Sequence, residues 1–225
     1  MCGRFTLTNP AQLELRFDVA SADGQSLEAR YNIAPSQMIP VIVEGEQGRT
    51  LHSLRWGFQP RWASANSTRP APINARAETL LERPLFRGAL GKYRCLIPAD
   101  GFYEWMVRPG SAAKQPMYIH RRDGDLFAFA GLYTEREEGG QIAASCAIIT
   151  TTPNEVLAPI HDRMPAILTR DTEALWVDRG VTDSEVLLAC LRPYPAALLD
   201  AYAVAPAVSA VRNDAPYLTA PLLPV

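Results

Sequence analysis

The stretch LFAFAGLYTE (126–135), followed by AASCAIITT (143–151), decides the fold class of this chain. Both segments are short and rich in aromatic, β-branched and small apolar residues, and a cluster of charged residues and glycines separates them. This pattern predicts two β-strands. Outward from this pair, five further segments show the same pattern: QMIPVIVE (37–44), TLHSLRWGF (50–58), YRCLIPA (93–99), GFYEWMV (101–107) and PMYIHRR (116–122).

Helical patterns are fewer and shorter. NPAQLELRF (9–17) starts with an asparagine suited to cap a helix, followed by proline at the first helical position. NARAETLLERP (74–84) is rich in helix-forming residues and stops at Pro84. TPNEVLAPI (152–160) is a further, short helical pattern. Caps and apolar spacing predict two later helices, in TRDTEALWV (169–177) and TDSEVLLACL (182–191).

The distribution of these elements predicts the fold class. Many short strands, few helices and 19 prolines favour turns and sheet edges over long helices. ASANSTRPAP (63–72) and RPGSAAK (108–114) are typical of surface loops, and the chain has no internal repeat. We therefore predict an α+β fold: a single domain over 1–225, with a core of about 2–215 and a curved or barrel-like, mainly antiparallel β-sheet with short peripheral helices.

The composition excludes several classes of protein. The chain has 225 residues, a net charge of −2 and 48% hydrophobic residues, which is ordinary for a globular protein. It has no run of about 18 apolar residues that would span a membrane. MCGRFTLTNP lacks the regions of a signal peptide, so we expect a cytoplasmic protein. The four cysteines form no CxxC pair and there are only three histidines, so we expect no metal site.

Residues 55–94 carry a local excess of positive charge. Eight arginines and lysines against two glutamates give this segment a net charge of +6, although the whole chain is slightly acidic. Trp56, Phe58, Trp62 and Phe86 are interleaved with these charges. Clustered arginines with aromatic rings favour a surface that follows phosphates and stacks bases. The alternative is a solvated basic face whose aromatic side chains point into the core.

The N-terminal MCGRF (1–5) is unusual, because an exposed terminal thiol is liable to oxidation. Three internal segments also combine residue types found in catalytic or anion-binding sites. PINARAETL contains Asn74, IPADGFYEW contains Glu104 between two aromatic residues, and APIHDRMP holds His161 between prolines. Each residue taken alone has a structural alternative: a helix N-cap, a surface carboxylate and a loop histidine with satisfied hydrogen bonds.

Taken together, six segments resemble the SOS-response-associated peptidase (SRAP) family, in the same order. They are MCGRF, YNIAPSQ, RWGFQPRW, NARAETL, RCLIPADGFYEW and IHDRMPAIL. The resemblance runs from about residue 2 to the 210s and implies the SRAP fold. The start MCG alone is not specific, since class II glutamine amidotransferases also begin that way. Two segments depart from the family pattern: Phe58-Gln59, where an aliphatic pair is usual, and VSAVRND (208–214), where a simpler Val-Asn is common.

The resemblance implies a sensor of abasic sites that crosslinks itself to them. Removal of Met1 would leave an α-amino group beside the thiol of Cys2. The amine, with an ordinary pKa of ~7.7–8.0, would condense with the open-chain aldehyde of the lesion to an imine. The thiol would then close a thiazolidine ring. An imine also implies weak lyase activity, and the family name implies a thiol peptidase that processes its own terminus.

The resemblance further implies the partner and the setting. The partner is single-stranded DNA with abasic sites, including junctions between single-stranded and double-stranded DNA. The protein would associate with the nucleoid during DNA damage. We expect it to act as a monomer, without a cofactor and without a membrane partner.

Individual residues acquire roles from the same resemblance. Asn74 would position the opened sugar, and Glu104 would move protons during imine formation and reversal of the crosslink. His161 would act as the acid and base that opens the sugar ring. The implied DNA contacts are arginines on phosphates and tryptophans that stack on bases or wedge against a duplex: Arg4, Arg76, Arg163, Trp62 and Trp105. A position in the core is the alternative for Trp105.

Two other functions remain open from the residues. An N-terminal-nucleophile amidohydrolase would use the amine as the base for its own thiol and would release ammonia from glutamine. A non-covalent reader of modified bases would bind DNA without Cys2 and would leave no covalent product. The basic, aromatic segment has no purpose in the amidohydrolase, and the chain shows none of the glutamine-binding motifs of that class.

Overall fold

The computed structural model of the chain describes residues 2–21, 27–62, 70–138 and 140–222. These residues form short strands joined by short helices and turns. In chain order the elements are β1 (Phe5–Leu7), α1 (Leu13–Phe17), β2 (Val19–Ser21), β3 (Arg30–Ile33), β4 (Met38–Gly45), β5 (Gly48–Trp56), β6 (Asn74–Arg76), α2 (Pro84–Leu90), β7 (Arg94–Ala99), β8 (Gly101–Met106), β9 (Gln115–Arg121), β10 (Phe127–Glu138), β11 (Gln141–Thr151), β12 (Met164–Pro165), β13 (Ile167–Leu168), α3 (Arg170–Val177), α4 (Ser184–Ala189) and β14 (Leu199–Ala203).

A closed barrel of five strands lies at the centre of the fold. Around the ring, β4 pairs with β5 and β7, β7 with β10, and β10 with β11, all antiparallel. A parallel contact between β11 and β5, at Ser145 and Arg55, closes the ring. Closure removes free sheet edges, which would otherwise attract other chains. The predicted α+β class with a barrel-like, mainly antiparallel sheet is confirmed.

A second, antiparallel sheet packs against the barrel and contains the first strand of the chain. Its strand order is β14-β9-β8-β1-β3. Phe5 of β1 packs edge-to-face against Trp56 of β5 and Phe129 of β10, with ring centroids 5.3 Å and 5.8 Å away. Such aromatic pairs each stabilise by about 0.5–1.5 kcal/mol beyond the area they bury. The backbone immediately after Cys2 is therefore anchored to the barrel.

The turn between β7 and β8 holds the other end of β1. The carboxylate of Asp100 accepts hydrogen bonds from the hydroxyls of Thr6 and Thr8, at 2.5 Å and 2.7 Å, and from the backbone N–H of Thr8. Gly101 follows, and a Cβ built there would lie 2.2 Å from the hydroxyl oxygen of Tyr118. Glycine is thus required where β1, β8 and β9 approach one another.

We expect Gly101→Ala to destabilise the protein by about 1–3 kcal/mol, because the added methyl group overpacks a rigid aromatic contact. Chemical denaturation measures the loss as a lower midpoint at unchanged slope. Gly91→Ala is the matched control, since a Cβ at Gly91 meets nothing within 4 Å. If both variants unfold at the same denaturant concentration, Tyr118 does not enforce the glycine.

Most of the elements predicted from the sequence are confirmed. The seven predicted strands are β4, β5 and β7–β11. The segment 9–17 begins with a 3₁₀ turn at Pro10–Gln12 and continues as α1, and the segments 169–177 and 182–191 contain α3 and α4. The loop at 108–114 is also confirmed, whereas residues 63–69 of the loop predicted at 63–72 lie outside the described residues.

Two predicted helices are wrong. Residues 74–76 form strand β6, which pairs in parallel with β11, and a 3₁₀ turn follows at Ala77–Thr79. Pro84 begins helix α2 instead of ending one, as proline does readily at the first helical position. Residues 155–160 form turns rather than a helix. In the described ranges, no helix is long and apolar enough to cross a membrane.

The basic segment 55–94 divides between core and surface. Trp56, Phe58 and Phe86 are buried, so their rings belong to the core rather than to a stacking surface. Arg94 is buried as well, and its guanidinium donates hydrogen bonds to backbone carbonyls, including those of Trp176 and Leu90. Three of the four tryptophan and phenylalanine side chains in this segment thus point into the core, as the alternative to a base-stacking surface predicted. Trp62 is the exception, with 75% of its surface exposed.

Candidate functional site

Three distant parts of the chain meet around Cys2. The backbone carbonyl of Arg4 accepts a hydrogen bond from the N–H of Tyr103 at 3.0 Å, so the chain before β1 runs beside β8. The Nδ2 of Asn74 donates to the carbonyl oxygen of Cys2 at 2.9 Å. The Nε2 of His161 lies 4.0 Å from Oε2 of Glu104. The four residues that the sequence singled out for catalysis are thus brought together.

Strand geometry places each of these side chains. Successive residues of a strand point to opposite faces, so Glu104 of β8 shares the barrel-facing side with Phe102. Phe102 is fully buried in the main core, whereas Tyr103 belongs to a smaller cluster on the other face. Asn74 is held by the pairing of β6 with β11, in which it lies opposite Ile148. A carboxylate and an amide are thereby held at the edge of an apolar core.

Burial changes the acidity of Glu104. Its side chain is only 3% exposed. Burial raises the pKa of this carboxyl above its ordinary range, and the positive charge of a protonated His161 acts in the opposite direction. A carboxyl group in these surroundings exchanges protons more readily near neutral pH than an exposed glutamate does.

Cys2 is fully buried, and its sulfur is a free thiol. Burial raises the pKa of this thiol, and the negative charge of Glu104 raises it further. The thiolate is therefore disfavoured, and at neutral pH the group is an S–H. A nearby base has to take its proton when the sulfur forms a bond.

The loop that carries His161 is fixed by its own hydrogen bonds. The N–H of His161 donates to the carbonyl of Leu157 at 2.8 Å, and the side chain of Asn154 accepts from the N–H of Leu157 and donates to the carbonyl of Tyr194. A short loop tied at both ends leaves the imidazole little freedom. The segment before His161 is therefore a hydrogen-bonded turn and not the helix predicted over 152–160.

The tautomer of His161 follows from two competing contacts at Nδ1. The backbone N–H of Arg163 donates to Nδ1 at 3.0 Å, which requires an unprotonated nitrogen. The carboxylate of Asp162 lies 2.8 Å from the same atom and favours a proton there. The backbone donor is fixed by the loop, whereas the side chain of Asp162 is 87% exposed, so solvent screens its charge. We therefore assign the proton of the neutral ring to Nε2, which faces Glu104.

Arg163 braces the site instead of pointing into solvent. Its guanidinium forms two parallel hydrogen bonds with the carboxylate of Glu78, at 2.7 Å and 2.9 Å, and a third with the carbonyl of Thr150. Hydrogen bonds from Arg163 hold the pKa of Glu78 below its usual range. The loop with His161, the turn after Asn74 and the end of β11 are joined by this one side chain.

The other predicted DNA contacts lie around the site. Arg76 is exposed at the end of β6, two residues after Asn74. Arg4 and Trp105 lie side by side, with the guanidinium carbon 5.9 Å from the ring centroid. Trp62 is exposed next to residues outside the described ranges, and within those ranges no hydrogen bond or ring contact joins it to the other four.

The sequence marked residues 208–214 only as a departure from the family pattern, and it did not predict that they support Arg4 and Trp105. Val208 accepts a hydrogen bond from Nη1 of Arg4, and the indole N–H of Trp105 donates to the hydroxyl of Ser209. The amide of Asn32, which is fully buried, donates to the carbonyls of this segment, including that of Val208. The polar motif YNIAPSQ, with an asparagine inside a strand, was the signal that could have revealed it.

Within the described part of the chain, the buried atoms of the site that have no hydrogen-bond partner include Oδ1 of Asn74 and Nε of Arg163, and the first of these is an acceptor. A buried acceptor normally has a donor, and leaving it unpaired costs about 1–3 kcal/mol. This oxygen is therefore suited to accept a hydrogen bond from a bound hydroxyl group. Across the described residues, no group of three or more His, Cys, Asp or Glu side chains is arranged to hold a metal ion.

Fold and site together define a class: a small β-barrel domain with a buried cysteine near its N-terminus, next to a carboxylate, an imidazole and an amide. A family model described as SOS response associated peptidase (SRAP) matches residues 1–211. The chain belongs to this family.

Curated relatives and a solved structure agree with this assignment. The abasic site processing protein YoqW of Bacillus subtilis is 43% identical over 97% of this chain and 98% of its own length. The abasic site processing protein HMCES of Gallus gallus is 31% identical over 85% of this chain and 66% of its own length. A crystal structure of a Bacteroides thetaiotaomicron protein has a TM-score of 0.87 and 26% identity, and the match covers 99% of this chain and 100% of that one.

Proposed function

We propose that this protein processes abasic sites in single-stranded DNA by forming a covalent crosslink with them through Cys2. One observation carries this function: Asn74, Glu104 and His161 surround Cys2, and the amide of Asn74 is hydrogen-bonded to its carbonyl. Relatives named abasic site processing proteins support the choice of substrate. Family membership alone, with a name that refers to a peptidase, leaves the reaction open.

The first step joins the amine of Cys2 to the sugar. An abasic deoxyribose is mostly a closed ring, and His161 assists opening by moving a proton between the ring oxygen and the anomeric hydroxyl. Oδ1 of Asn74 accepts a hydrogen bond from a hydroxyl of the opened sugar. With Met1 removed, the free amine attacks the aldehyde carbon, the carbonyl oxygen leaves as water, and an imine forms.

The second step closes the ring. The sulfur of Cys2 attacks the imine carbon, the π electrons of the C=N bond shift to nitrogen, and a five-membered thiazolidine ring results. The thiol proton goes to Glu104, and a proton is returned to the nitrogen, so no further reactant is needed. Since burial raises the pKa of both groups, the thiol arrives protonated and the carboxylate is a competent base for it. The reverse sequence would release the DNA.

The state of the thiol distinguishes this chemistry from its rivals. A thiol peptidase or an N-terminal-nucleophile amidohydrolase begins with attack by a thiolate, which needs a lowered thiol pKa. In this site burial and Glu104 raise the thiol pKa. An amine-first reaction uses a neutral thiol only after the imine exists. Weak strand cleavage by β-elimination from that imine fits the same site, and self-processing at the terminus is a lesser activity.

DNA contact is assigned to exposed groups next to the site. Arg76 is exposed two residues from Asn74 and contacts a phosphate beside the lesion. Arg4 and Trp105 offer a cation and an aromatic ring on the β8 side, and Trp62 offers a further stacking surface. Arg163 has only 12% of its side chain exposed, so we assign it mainly to bracing.

Denaturing gel electrophoresis with single-stranded DNA that contains one abasic site tests this function. We expect a heat-stable band of protein plus DNA, and no band with the undamaged strand. Ammonia release from glutamine without any such band would favour the amidohydrolase. Binding that never becomes covalent would favour a reader of modified bases.

Affinity for single-stranded DNA should fall steeply with salt despite the acidic net charge of the chain. Arg76→Ala should weaken binding and reduce the slope of log affinity against log salt by about 1, because one phosphate contact is lost. Fluorescence anisotropy at several salt concentrations measures both. Arg122→Ala is the control, since Arg122 is exposed just beyond the end of β9 that is remote from Glu104. Equal slopes for the two variants would remove Arg76 from the interface.

A further inference from the structure

A groove lies on the outer face of the barrel, where the parallel contact of β5 and β11 closes the ring. Its volume is about 490 Å³, and its lining includes charged, apolar and polar residues. Among them are Arg55, Arg136, Met38, Ile142, Gln59 and Ser145. We call it the seam groove.

Strand register shows that the seam groove spans four neighbouring strands. Met38 of β4 lies opposite Arg55 of β5, and Arg55 lies opposite Ser145 of β11. On the other side of β11, Arg136 of β10 lies opposite Ala143. Paired residues on adjacent strands point to the same face, so these side chains form one continuous row across the outside of the barrel.

The seam groove and the site around Cys2 are consecutive along β11. Ser145 lines the groove, and Thr150, five residues further on, lies opposite Arg76 and bonds to Arg163. At the rise of a β-strand this separation is about 16 Å. Stacked DNA advances about 3.4 Å per nucleotide, so about five nucleotides cover the distance. Ser145 and Thr150 point to opposite faces of β11. A strand bound at Cys2 therefore passes from the end of the barrel onto its outer face to reach the groove, and this length allows it.

The chemistry of the groove fits a nucleic-acid strand. Arg55 is exposed, and among the described residues no carboxylate forms an ion pair with it. Met38 and Ile142 are 54% and 75% exposed, and they supply apolar surface beside the charges. The N–H of Gln59 donates to the hydroxyl of Ser145 at 2.9 Å, which fixes Gln59 at the rim. Gln59 belongs to the pair that departs from the family pattern, and its amide adds hydrogen-bonding capacity.

We propose that the seam groove binds the DNA strand that flanks the abasic site, with Arg55 and Arg136 on phosphates and Met38 and Ile142 against sugars and bases. This rests on the proposed function, because it needs single-stranded DNA at the site. Charge complementarity and continuity with the site along β11 identify the occupant. The groove extends the bound length beyond the nucleotides that Cys2 and Arg76 contact.

The test measures non-covalent binding, so that it does not depend on the crosslinking reaction. All variants carry Cys2→Ala, and the probe is a single strand with one unreactive tetrahydrofuran analogue of an abasic site, which extends either about ten nucleotides or about two past the analogue. With the long strand, Arg55→Glu should lower the affinity about fivefold or more and reduce the salt slope by about 1. With the short strand it should change neither. Arg55→Lys, which keeps the charge, should restore most of the affinity.

The outcomes separate the two proposals. Arg122→Glu is the matched control and should leave both strands unaffected. If Arg55→Glu binds the long strand as the parent does, the groove does not contact DNA, whatever the crosslinking gel shows. An equal loss on long and short strands would place Arg55 at the lesion and would also contradict a flanking site. A further outcome is that the protein with Cys2 intact gives no crosslink to an abasic site while Arg55→Glu lowers the affinity for the long strand only. That result would support DNA binding in the seam groove and would contradict the proposed chemistry at Cys2.

Discussion

Cys2→Ala is expected to abolish the stable DNA adduct while leaving the affinity for single-stranded DNA within about twofold. The thiazolidine needs sulfur on the carbon next to the one that bears the amine, and alanine has none. The groups assigned to phosphates, Arg76 and Arg4, are separate side chains and stay in place. Denaturing gels measure the adduct, and anisotropy measures the affinity.

Two further variants isolate the roles of sulfur and amine. Cys2→Ser keeps the amine, so it should form an imine that borohydride traps but no adduct that survives without reduction. Cys190→Ala removes a thiol at the end of α4, hydrogen-bonded to the carbonyl of Val186, and should crosslink normally. Normal crosslinking by a protein with an extension before Cys2 would show that the terminal amine is not the nucleophile.

The second large effect separates Glu104 from His161. Glu104→Gln keeps the shape of the side chain but cannot carry the proton, so formation and reversal of the ring should both slow by roughly 10²-fold or more. His161→Ala should slow crosslinking by roughly 10²-fold at most, because some sugar opens spontaneously. The 4.0 Å separation of the two groups leaves each free to serve a different step.

An open-chain aldehyde on the same DNA backbone distinguishes the two roles, because it needs no ring opening. With this substrate the defect of His161→Ala should largely vanish, and the defect of Glu104→Gln should remain. Rates from quenched time courses are compared on both substrates. Equal defects on both would contradict this division of roles.

Stability provides an independent check on Glu104. Burial raises its pKa in the folded protein above the unfolded value, so protonation stabilises the fold at low pH, and that contribution is lost as pH rises through the folded pKa. Glu104→Gln should therefore melt no lower than the parent at pH about 7, and its advantage should disappear below the ordinary glutamate pKa of ~4.3. A variant that melts lower at neutral pH would mean that the ionised carboxylate stabilises the fold.

The barrel strands were predictable because their patterns are local. LFAFAGLYTE and AASCAIITT have the aromatic, β-branched and small apolar composition of strands buried on both faces, and they form β10 and β11. Residues 74–76 behaved differently. NARAETL has helix-forming residues, but pairing with β11 outweighs a propensity of a few tenths of a kcal/mol per residue. That pairing, invisible in the sequence, is what brings Asn74 to Cys2.

The candidate site was identified by ordered motifs rather than by local physics. The aromatic residues beside Glu104 on its strand predict that it is partly buried, but nothing in them predicts that it lies beside Cys2, because this proximity arises from β1 pairing with β8. Arg163 shows what the motifs alone do not predict. A motif marks the residue as important, but only the structure shows its guanidinium on Glu78 and Thr150. The hydrogen bonds that Val208 and Ser209 form with Arg4 and Trp105 likewise became visible only in the structure.

The most direct test of the central claim is mass spectrometry of the purified adduct after proteolysis. The protein is reacted with a single strand that carries one abasic site, the DNA is digested, and the modified peptide is sequenced. We predict that the modified peptide begins at Cys2, without Met1, and carries the sugar remnant with one water lost and no free thiol. A remnant on any other residue, or on a peptide that retains Met1, would contradict crosslinking through the terminal amine and thiol of Cys2.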